Sequence, residues 1–338
     1  MTILPIAPKI VVLGSGAWGT ALALSLARNG RGVTMWAHSR EAAKEIADAG
    51  ENVLFLPGFP LPPEITVTGD HEAVTPADII VSVVPSEFLR PTLSRLSPYL
   101  REGQIIVSAT KGVENGTFLR MTQVIADNTA GLPLPIGALS GPSFAQEVAE
   151  GQPTAVTVAF DDPAIASLVQ REFSSETLRL YTSTDVIGVE LGGALKNVIA
   201  IAAGIAAGVG LGYNSSAALI TRGIAEITRL AVACGGRRET LAGLSGVGDL
   251  VLTCTGTLSR NRTVGVALGQ GRKLPEILAS LGGKVAEGVH TTRAALGLAR
   301  QRRIEMPIAE QMELILEEGK DPREAIKDLM LRPGKHEH

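Results

Sequence analysis

The first half of the chain alternates short apolar runs with segments of helical periodicity. Residues 10–13 predict a strand, 17–29 a helix and 32–36 a second strand, which together make a βαβ unit. Further strands are predicted at 79–84, 105–109, 136–139, 155–160 and 178–181. Several of these runs are apolar throughout rather than alternating, which indicates a sheet that is covered on both faces.

The second half has a different pattern, because strand-like runs stop and Ala, Leu and Gly recur at helical spacing. The apolar run 198–210 is shorter than the roughly 20 residues that span a bilayer, so it predicts a buried helix. Helix starts are predicted at four residues of types that cap helices: Asp185, Asn214, Ser259 and Asp321.

The length of 338 residues favours two domains, since a single core stops growing at roughly 250 to 300 residues. The change of pattern sets the boundary near 183–187. The predicted fold is an α/β Rossmann-type domain at 1–184, an all-α domain at 185–334 and a polar tail at 335–338.

Composition narrows the class of partner. The chain is 45% hydrophobic and 19% charged with a net charge of −3, which is typical of a soluble protein and offers no polybasic surface for nucleic acid or membrane. Cys234 and Cys254 lack the spacing of a metal site or a disulfide framework, so both are expected to be free thiols, and no metal is expected. The N-terminus does not resemble a secretory signal, and a cytoplasmic location is therefore expected.

A glycine-rich turn directly follows the first predicted strand. Gly14, Gly16 and Gly19 form a GxGxxG motif that opens the predicted helix. In this setting the glycines permit a tight turn and close approach of the backbone to a pyrophosphate, while the helix N-terminus offers free N–H groups. The motif predicts a dinucleotide site. The alternative is a glycine-rich turn that binds nothing.

The residues after the second strand bear on cofactor choice. An NAD-specific site usually has Asp or Glu here to bind the ribose 2′-hydroxyl, but this chain has Ala37, His38, Ser39 and Arg40. His, Ser and Arg side chains are suited to a 2′-phosphate, and Arg can make paired contacts with it. NADPH is therefore favoured over NADH, which stays possible. The alternative is that Arg40 begins the next helix and faces solvent.

Other candidate residues also follow predicted strands. Ligands of open α/β sheets lie beyond the carboxyl ends of the strands, so Pro85 and Lys111 are expected to face the crevice. An ordinary surface lysine is the alternative for Lys111. The segment SGPS at 140–143 offers N–H and hydroxyl donors to a substrate, although a plain turn would have the same sequence.

The start of the most apolar helix carries Lys196 beside two glycines. Gly192 and Gly193 share its helical face, and each costs about 1 kcal/mol relative to alanine, so a close approach to this face is expected. Burial lowers the pKa of a lysine, which would suit Lys196 to proton transfer with a carbinol oxygen. The alternative is a lysine whose head reaches solvent.

Two polar segments further along complete the candidate site. Asp249 lies in an apolar, glycine-flanked stretch where a carboxylate needs a partner, and a lysine would be the natural one. Ser259, Arg260 and Asn261 combine a cationic fork, an amide and the free N–H groups of a helix start, which suits a phosphate. The alternative is a helix cap followed by solvated arginines.

Together these segments resemble the bacterial-type NAD(P)-dependent glycerol-3-phosphate dehydrogenase family. The motifs that carry the resemblance occur in order along nearly the whole chain: GSGAWGTA, VVPS, ATKG, SGPSFAQE, GGALKNVIAI, NSSAALITRG, GVGDLVLTC, SRNR and VAEGV. The resemblance implies a Rossmann domain followed by a helical domain like that of 6-phosphogluconate dehydrogenases, in a homodimer. It also implies reversible hydride transfer between NAD(P)H and dihydroxyacetone phosphate, which gives sn-glycerol 3-phosphate for phospholipid synthesis.

The resemblance also implies roles for individual residues. In the family pattern Lys196 is the proton acceptor in glycerol 3-phosphate oxidation. As a hypothesis for the mechanism, Lys111 would help to polarise the carbonyl and Asp249 would hold Lys196 in place and tune it, so these two are the other predicted catalytic residues. The substrate positions are Lys111, Gly141, Ser143, Lys196, Asp249, Ser259, Arg260 and Asn261. Besides the three glycines, the nucleotide positions are Ala17, Trp18, His38, Arg40, Lys111 and Ala145, with Arg260, Val285 and Glu287 closing over them. Many members carry Ser where this chain has Ala17, so a backbone contact would survive there but a hydroxyl contact would not.

Two other functions stay open at this point. A dehydrogenase of the β-hydroxyacid or 6-phosphogluconate type shares the plan and the catalytic lysine, but it would need a site that reads a carboxylate. A redox sensor that binds NAD(P)H without turnover is the other alternative, and it leaves Lys196, Asp249 and Arg260 unexplained.

Overall fold

The computed structural model describes residues 8–281, 286–334 and 336–337. Its first half is a sheet with connecting helices. The strands are β1 (Ile10–Leu13), β2 (Val33–Trp36), β3 (Ile65–Thr68), β4 (Ile79–Ser82), β5 (Ile105–Ser108), β6 (Ile136–Ser140), β7 (Thr154–Ala159) and β8 (Leu178–Ser183). The helices are α1 (Ala17–Arg28), α2 (Arg40–Ala49), α3 (Ser86–Leu96), α4 (Met121–Asn128), α5 (Ala145–Glu150) and α6 (Pro163–Phe173), with 3-10 turns at His71–Val74 and Ser97–Tyr99.

The sheet has the strand order β3-β2-β1-β4-β5-β6-β7-β8. The strands from β3 to β6 run parallel in the order of a doubly wound Rossmann sheet, and β7 then pairs antiparallel with β6. The order reverses between β1 and β4, so a ligand crevice is expected at their carboxyl ends. Strand β3 was not predicted, because it is a partly exposed edge strand with alternating Thr residues rather than an apolar run.

Successive residues of the central strands pack on opposite faces of the sheet. In β1, Ile10 and Val12 belong to one apolar cluster, whereas Val11 and Leu13 belong to another. All four are buried, and so are all residues of β4 and β5. The prediction of a sheet that is covered on both faces is confirmed.

Among the residues that the structure describes, the second half consists of helices and the turns between them, without a strand. Its helices are α7 (Val186–Val209), α8 (Tyr213–Ala233), α9 (Arg238–Leu241), α10 (Asp249–Thr255), α11 (Arg260–Gly269), α12 (Leu274–Ser280), α13 (Glu287–Arg302), α14 (Pro307–Glu318) and α15 (Pro322–Met330), with a π-helical turn at Leu244–Gly248. The sheet ends at Ser183 and α7 begins at Val186, whereas the division into domains at 1–184 and 185–334 stays a prediction.

Helix α7 forms the centre of this helical half. By length and composition it is apolar enough to cross a membrane, but 94% of its most apolar stretch is buried inside the protein, as predicted for the run 198–210. Glycines bring α11 against it, since a Cβ at Gly204 would lie 2.1 Å from the Arg262 carbonyl oxygen and a Cβ at Gly265 would lie 2.1 Å from that of Ile201. The two backbones therefore touch.

Three of the four predicted helix caps are confirmed. The Asp185 side chain accepts a hydrogen bond from the Gly188 N–H at 2.8 Å and caps α7, and Ser259 and Asp321 cap α11 and α15. The prediction for Asn214 is wrong, because Gly212 caps α8 and the helix has already begun at Tyr213. Gly212 has the extended backbone of an N-cap residue but offers no side-chain acceptor to the first turn.

Candidate active site

The turn between β1 and α1 has the geometry that the GxGxxG motif predicts. Gly14 has a φ of +116°, which L side chains rarely adopt, and a Cβ there would lie 3.1 Å from the Val83 backbone after β4. A Cβ at Gly19 would lie 2.0 Å from the Gly14 carbonyl oxygen, whereas a Cβ at Gly16 would meet no atom within 4 Å. The first and third glycines thus permit packing, and the second leaves an open approach to the backbone.

The N-terminus of α1 can bind an anion. Gly16 caps the helix without a side-chain acceptor, and the first turn contains no acidic residue, so its N–H groups stay available. Ala17 and Trp18 in this turn and Ala145 at the start of α5 pack against the same apolar cluster. The residues present therefore fit a dinucleotide diphosphate with apolar walls beside it.

His38 and Arg40 both lie exposed beyond the end of β2. Arg40 begins α2, and its Nε donates a hydrogen bond to Asp70 Oδ1 at 2.6 Å. Ser39 caps the helix, since its Oγ accepts from the Ala42 N–H at 3.1 Å. Thus the alternative reading, that Arg40 starts a helix and faces solvent, describes its position correctly, and that position leaves the guanidinium accessible to a ligand.

Lys111 and Lys196 lie on opposite sides of the Asp249 carboxylate. Lys111 Nζ donates to Asp249 Oδ2 at 2.8 Å, and Lys196 Nζ donates to Asp249 Oδ1. Asp249 is fully buried and Lys196 is only 6% exposed, whereas Lys111 is partly exposed. The prediction that Asp249 has a lysine partner is confirmed, and the structure gives it two.

Burial lowers the pKa of Lys196 to about 8. The Asp249 carboxylate opposes this shift because it stabilises the protonated amine, while the nearby Lys111 ammonium adds to it. At neutral pH Lys196 therefore carries a proton that it can release more readily than an ordinary lysine. Such a group is suited to exchange a proton with an oxygen of similar basicity.

Thr253 also holds Lys196 and was not singled out from the sequence. Its Oγ1 donates to the Asp249 backbone carbonyl at 2.6 Å, so a lone pair is left to accept from Lys196 Nζ at 2.8 Å. Residues four apart on a helix share a face, and Thr253 follows Asp249 by four on α10. That spacing was the signal in the sequence that could have identified it.

The two glycines before Lys196 permit close packing, as expected, and the neighbours are protein atoms. A Cβ at Gly192 would lie 2.4 Å from the Ser245 carbonyl oxygen in the π-helical turn, and a Cβ at Gly193 would lie 2.2 Å from Ser140 Oγ at the end of β6. The glycines therefore bring the turn before Asp249 and the carboxyl end of β6 against α7.

The segment after β6 joins the lysine cluster. Gly141 has a φ of +147°, and its carbonyl oxygen accepts from Ser143 Oγ at 2.9 Å and from Lys111 Nζ at 3.5 Å. A Cβ at Gly141 would lie 2.9 Å from Val156 Cα in β7, so this turn also requires glycine. The structure brings Gly141, Ser143 and Lys111 together beyond the carboxyl ends of β5 and β6.

The start of α11 contributes one exposed cation and two buried polar side chains. Arg260 is exposed, whereas Ser259 is buried and its Oγ accepts from the Arg262 N–H at 3.2 Å as the helix cap. Asn261 Oδ1 accepts from the Gly288 N–H at 2.9 Å. Arg260 is thus accessible to a ligand. The Ser259 hydroxyl caps the helix, which was the alternative interpretation of this residue.

Glu287 connects this segment to the lysines. Its Oε2 accepts from Asn197 Nδ2 at 3.2 Å, next to Lys196 on α7. Burial raises the pKa of the Glu287 carboxyl, and the charges of Arg260, Lys111 and Lys196 oppose that shift, so all four side chains lie within electrostatic reach. Val285, predicted to close over the nucleotide, lies outside the described residues.

Both halves of the chain match models of one family. The model described as NAD-dependent glycerol-3-phosphate dehydrogenase N-terminus matches residues 9–166, and that described as its C-terminus matches residues 185–327. The chain belongs to the NAD-dependent glycerol-3-phosphate dehydrogenase family. The family predicted from the sequence and its fold class, a Rossmann-type part followed by a helical part, are both confirmed.

Individual relatives match over nearly their full lengths. A glycerol-3-phosphate dehydrogenase (NAD(P)+) from Acidobacterium capsulatum is 60% identical over 97% of this chain and 99% of its own. One from Koribacter versatilis is 55% identical over 96% of this chain and 98% of its own. The crystal structure of glycerol-3-phosphate dehydrogenase from Coxiella burnetii is 39% identical, covers 97% of this chain and 100% of its own, and superposes with a TM-score of 0.93. The cofactor class of this family is NAD(P), as predicted.

Proposed function

We propose that the chain catalyses the reversible, NAD(P)-dependent interconversion of dihydroxyacetone phosphate and sn-glycerol 3-phosphate. The observation that carries the proposal is the cluster of Lys111, Asp249 and Lys196 in a member of this family. A buried lysine with a lowered pKa provides the proton that ketone reduction consumes.

The nucleotide is proposed to bind at the turn formed by Gly14, Gly16 and Gly19, with its diphosphate on the N-terminus of α1. Arg40 and His38 would hold the 2′-phosphate of NADPH, while NADH would bind without that contact. When bound, the reduced nucleotide supplies the hydride.

The protein groups provide proton transfer and orientation. Lys196 donates its proton to the oxygen on which negative charge develops, and Asp249 keeps the ammonium group in place. Lys111 adds a second positive charge that polarises the carbonyl. After the transfer, the neutral amine of Lys196 is stabilised by the same burial that lowers its pKa.

Arg260 is proposed to bind the phosphate group of the substrate, with Asn261 beside it and Gly141 and Ser143 lining the opposite side. Exposed and free of a protein ion pair among the described residues, the Arg260 guanidinium can form paired hydrogen bonds with a phosphate. Contacts remote from the reacting carbon orient the substrate, so their loss lowers the rate as well as the affinity.

The remaining aspects rest on family resemblance and composition. We propose a homodimer in the cytoplasm that supplies sn-glycerol 3-phosphate to phospholipid synthesis. Neither nucleic acid nor membrane is a proposed partner, consistent with the net charge of −3 and the absence of a polybasic segment from the sequence.

The test is the initial rate of NADPH and NADH oxidation with dihydroxyacetone phosphate, compared with unphosphorylated dihydroxyacetone. We expect rapid oxidation with the phosphorylated ketone alone, and Arg260→Ala should lower kcat/KM for it by about 100-fold. Arg272→Ala, an exposed arginine beyond the end of α11, is the matched control. Turnover of hydroxy acids in preference to glycerol 3-phosphate, or nucleotide binding without turnover, would overturn the proposal.

A further inference from the structure

The end of β2 has no carboxylate, but Asp70, which follows the neighbouring edge strand β3, places one beside it. Trp36 of β2 pairs with Thr68 of β3, and the Ala37 N–H continues the ladder to the Thr68 carbonyl at 2.8 Å. The segments that follow the two strands therefore run side by side at the nucleotide edge of the sheet. Asp70 lies on the second of them, thirty residues from Arg40 in the chain.

Close backbone packing fixes this arrangement. A Cβ at Gly69 would lie 2.5 Å from both Arg40 N and Ser39 C, so any larger residue would push the two segments apart. The Asp70 N–H donates to Thr68 Oγ1 at 3.1 Å, which holds the start of the segment. The backbone at Asp70 is thus held in a defined position beside Arg40, within hydrogen-bond reach of its side chain.

Asp70 is the counter-ion of the arginine proposed to bind the 2′-phosphate. Arg40 Nε lies 2.6 Å from Asp70 Oδ1, with the two side chains 81% and 53% exposed, and Arg40 has no other ion pair among the described residues. Glu41 is adjacent in sequence, but hydrogen bonds from its own backbone N–H and from Ser39 hold the pKa of its carboxyl below the usual range. Its carboxylate therefore serves the helix start.

We infer that Asp70 is a specificity-determining residue that weakens the preference for NADPH over NADH. The inference rests on the nucleotide site in the proposed function. A 2′-phosphate must share or displace the Arg40–Asp70 contact and meets a negative charge beside it. The ribose 2′-hydroxyl of NADH carries no charge and is not repelled. Asp70 therefore keeps both nucleotides usable in a site whose β2 residues alone favour NADPH.

The direct test is nucleotide binding to Asp70→Asn, measured by calorimetry with NADPH and with NADH in the absence of substrate. Exposed ion pairs are weak, so the ratio of NADPH to NADH affinity should rise by about 2- to 5-fold. The rise should shrink in high salt, which screens exposed charges. Asp48→Asn is the matched control, because it removes one carboxylate of α2 that pairs with Lys44 instead, and it should leave the ratio unchanged.

A second pair of variants separates this role from a structural one. In a protein that also carries Arg40→Ala, Asp70→Asn should change the logarithm of the NADPH to NADH affinity ratio by less than half as much as it does in the unmodified protein. The reason is that the arginine for which Asp70 and the 2′-phosphate compete is then absent. An unchanged or lower ratio in Asp70→Asn, or equal effects on both nucleotides, would overturn the inference and leave the proposed function intact. Failure of the unmodified protein to bind either nucleotide would overturn both.

Discussion

Asp249 and Lys196 form a buried ion pair that joins α10 to α7 across 53 residues of sequence. The second oxygen of the same carboxylate contacts Lys111, so one negative charge lies between two positive ones. With both lysines protonated, the cluster carries one net positive charge in a site that is largely closed to water. That excess charge suits an oxygen that becomes negative during reduction.

The pH dependence of the two reaction directions should differ in sign. Ketone reduction needs protonated Lys196, so its kcat should fall as pH rises through about 8, while alcohol oxidation should rise through the same range. Asp249→Asn removes the charge that raises this pKa, so both limbs should move to lower pH and reduction at pH 8 should fall at least about 10-fold. Measured kcat against pH in both directions checks this. Limbs that stay in place in Asp249→Asn would contradict the prediction. The exposed Asp161→Asn is the control, and its limbs should not move.

Removal of the Thr253 hydroxyl should impair turnover without unfolding the site. Thr253→Val keeps the shape of the side chain but leaves one N–H of buried Lys196 without its acceptor, which costs about 1–3 kcal/mol. We expect kcat to fall by about 10-fold with little change in the KM for the nucleotide. Thr253→Ser retains the hydroxyl and should recover most of the rate. Equal kcat values for the Val and Ser variants would show that the hydroxyl is dispensable.

Replacement of two glycines in the same turn should affect two different properties of the protein, nucleotide binding and stability. Gly16→Ala places a Cβ in open space where the diphosphate is expected, so nucleotide affinity should fall by about 10-fold or more while the thermal midpoint stays within about 2 °C. Gly19→Ala places a Cβ 2.0 Å from the Gly14 carbonyl oxygen, so the fold itself should lose about 1–3 kcal/mol of stability. Calorimetric binding and thermal unfolding of both variants distinguish the two effects. Similar losses of stability in both variants would contradict the claim that the space beside Gly16 is open for the diphosphate.

The features predictable from sequence are those that local constraints determine. Gly14 is required by a positive φ in a strand-to-helix turn, and Asp185 and Ser259 cap helices three residues ahead of the N–H groups they accept from. These constraints act within a few residues, so they can be recognised from the local sequence. Central strands such as β4 were equally visible, because burial on both faces makes them apolar throughout.

The features that sequence could not reveal depend on contacts between distant segments. Lys111 and Asp249 are 138 residues apart, and Arg40 and Asp70 are 30 apart, so neither pairing follows from spacing. The edge strand β3 that positions Asp70 has a mixed pattern, since one side of it faces solvent. Likewise, the glycines beside Lys196 signalled close packing but not that protein atoms of Ser140 and Ser245 would fill the space.

A carboxylate outside the active site should make stability depend on pH. Glu226 of α8 is 2% exposed, its Oε1 accepts from the Ile308 N–H at 2.8 Å at the start of α14, and Oε2 has no hydrogen-bond partner among the described residues. Burial raises the pKa of Glu226 to about 7, while the Ile308 N–H and the Arg229 charge oppose the shift. Proton binding therefore favours the folded state between pH 4.5 and about 7.

It follows that this contribution to stability is present at acid pH and is lost as pH rises through about 7. Glu226→Gln keeps an acceptor for the Ile308 N–H but cannot ionise, so its stability relative to the unmodified protein should increase by about 2 kcal/mol between pH 5 and pH 8. Denaturant unfolding at both pH values measures this difference, with the exposed Glu318→Gln as the control that should show none. A stability difference for Glu226→Gln that is equal at both pH values would mean that Glu226 is ionised in the folded protein at both, and it would contradict the prediction.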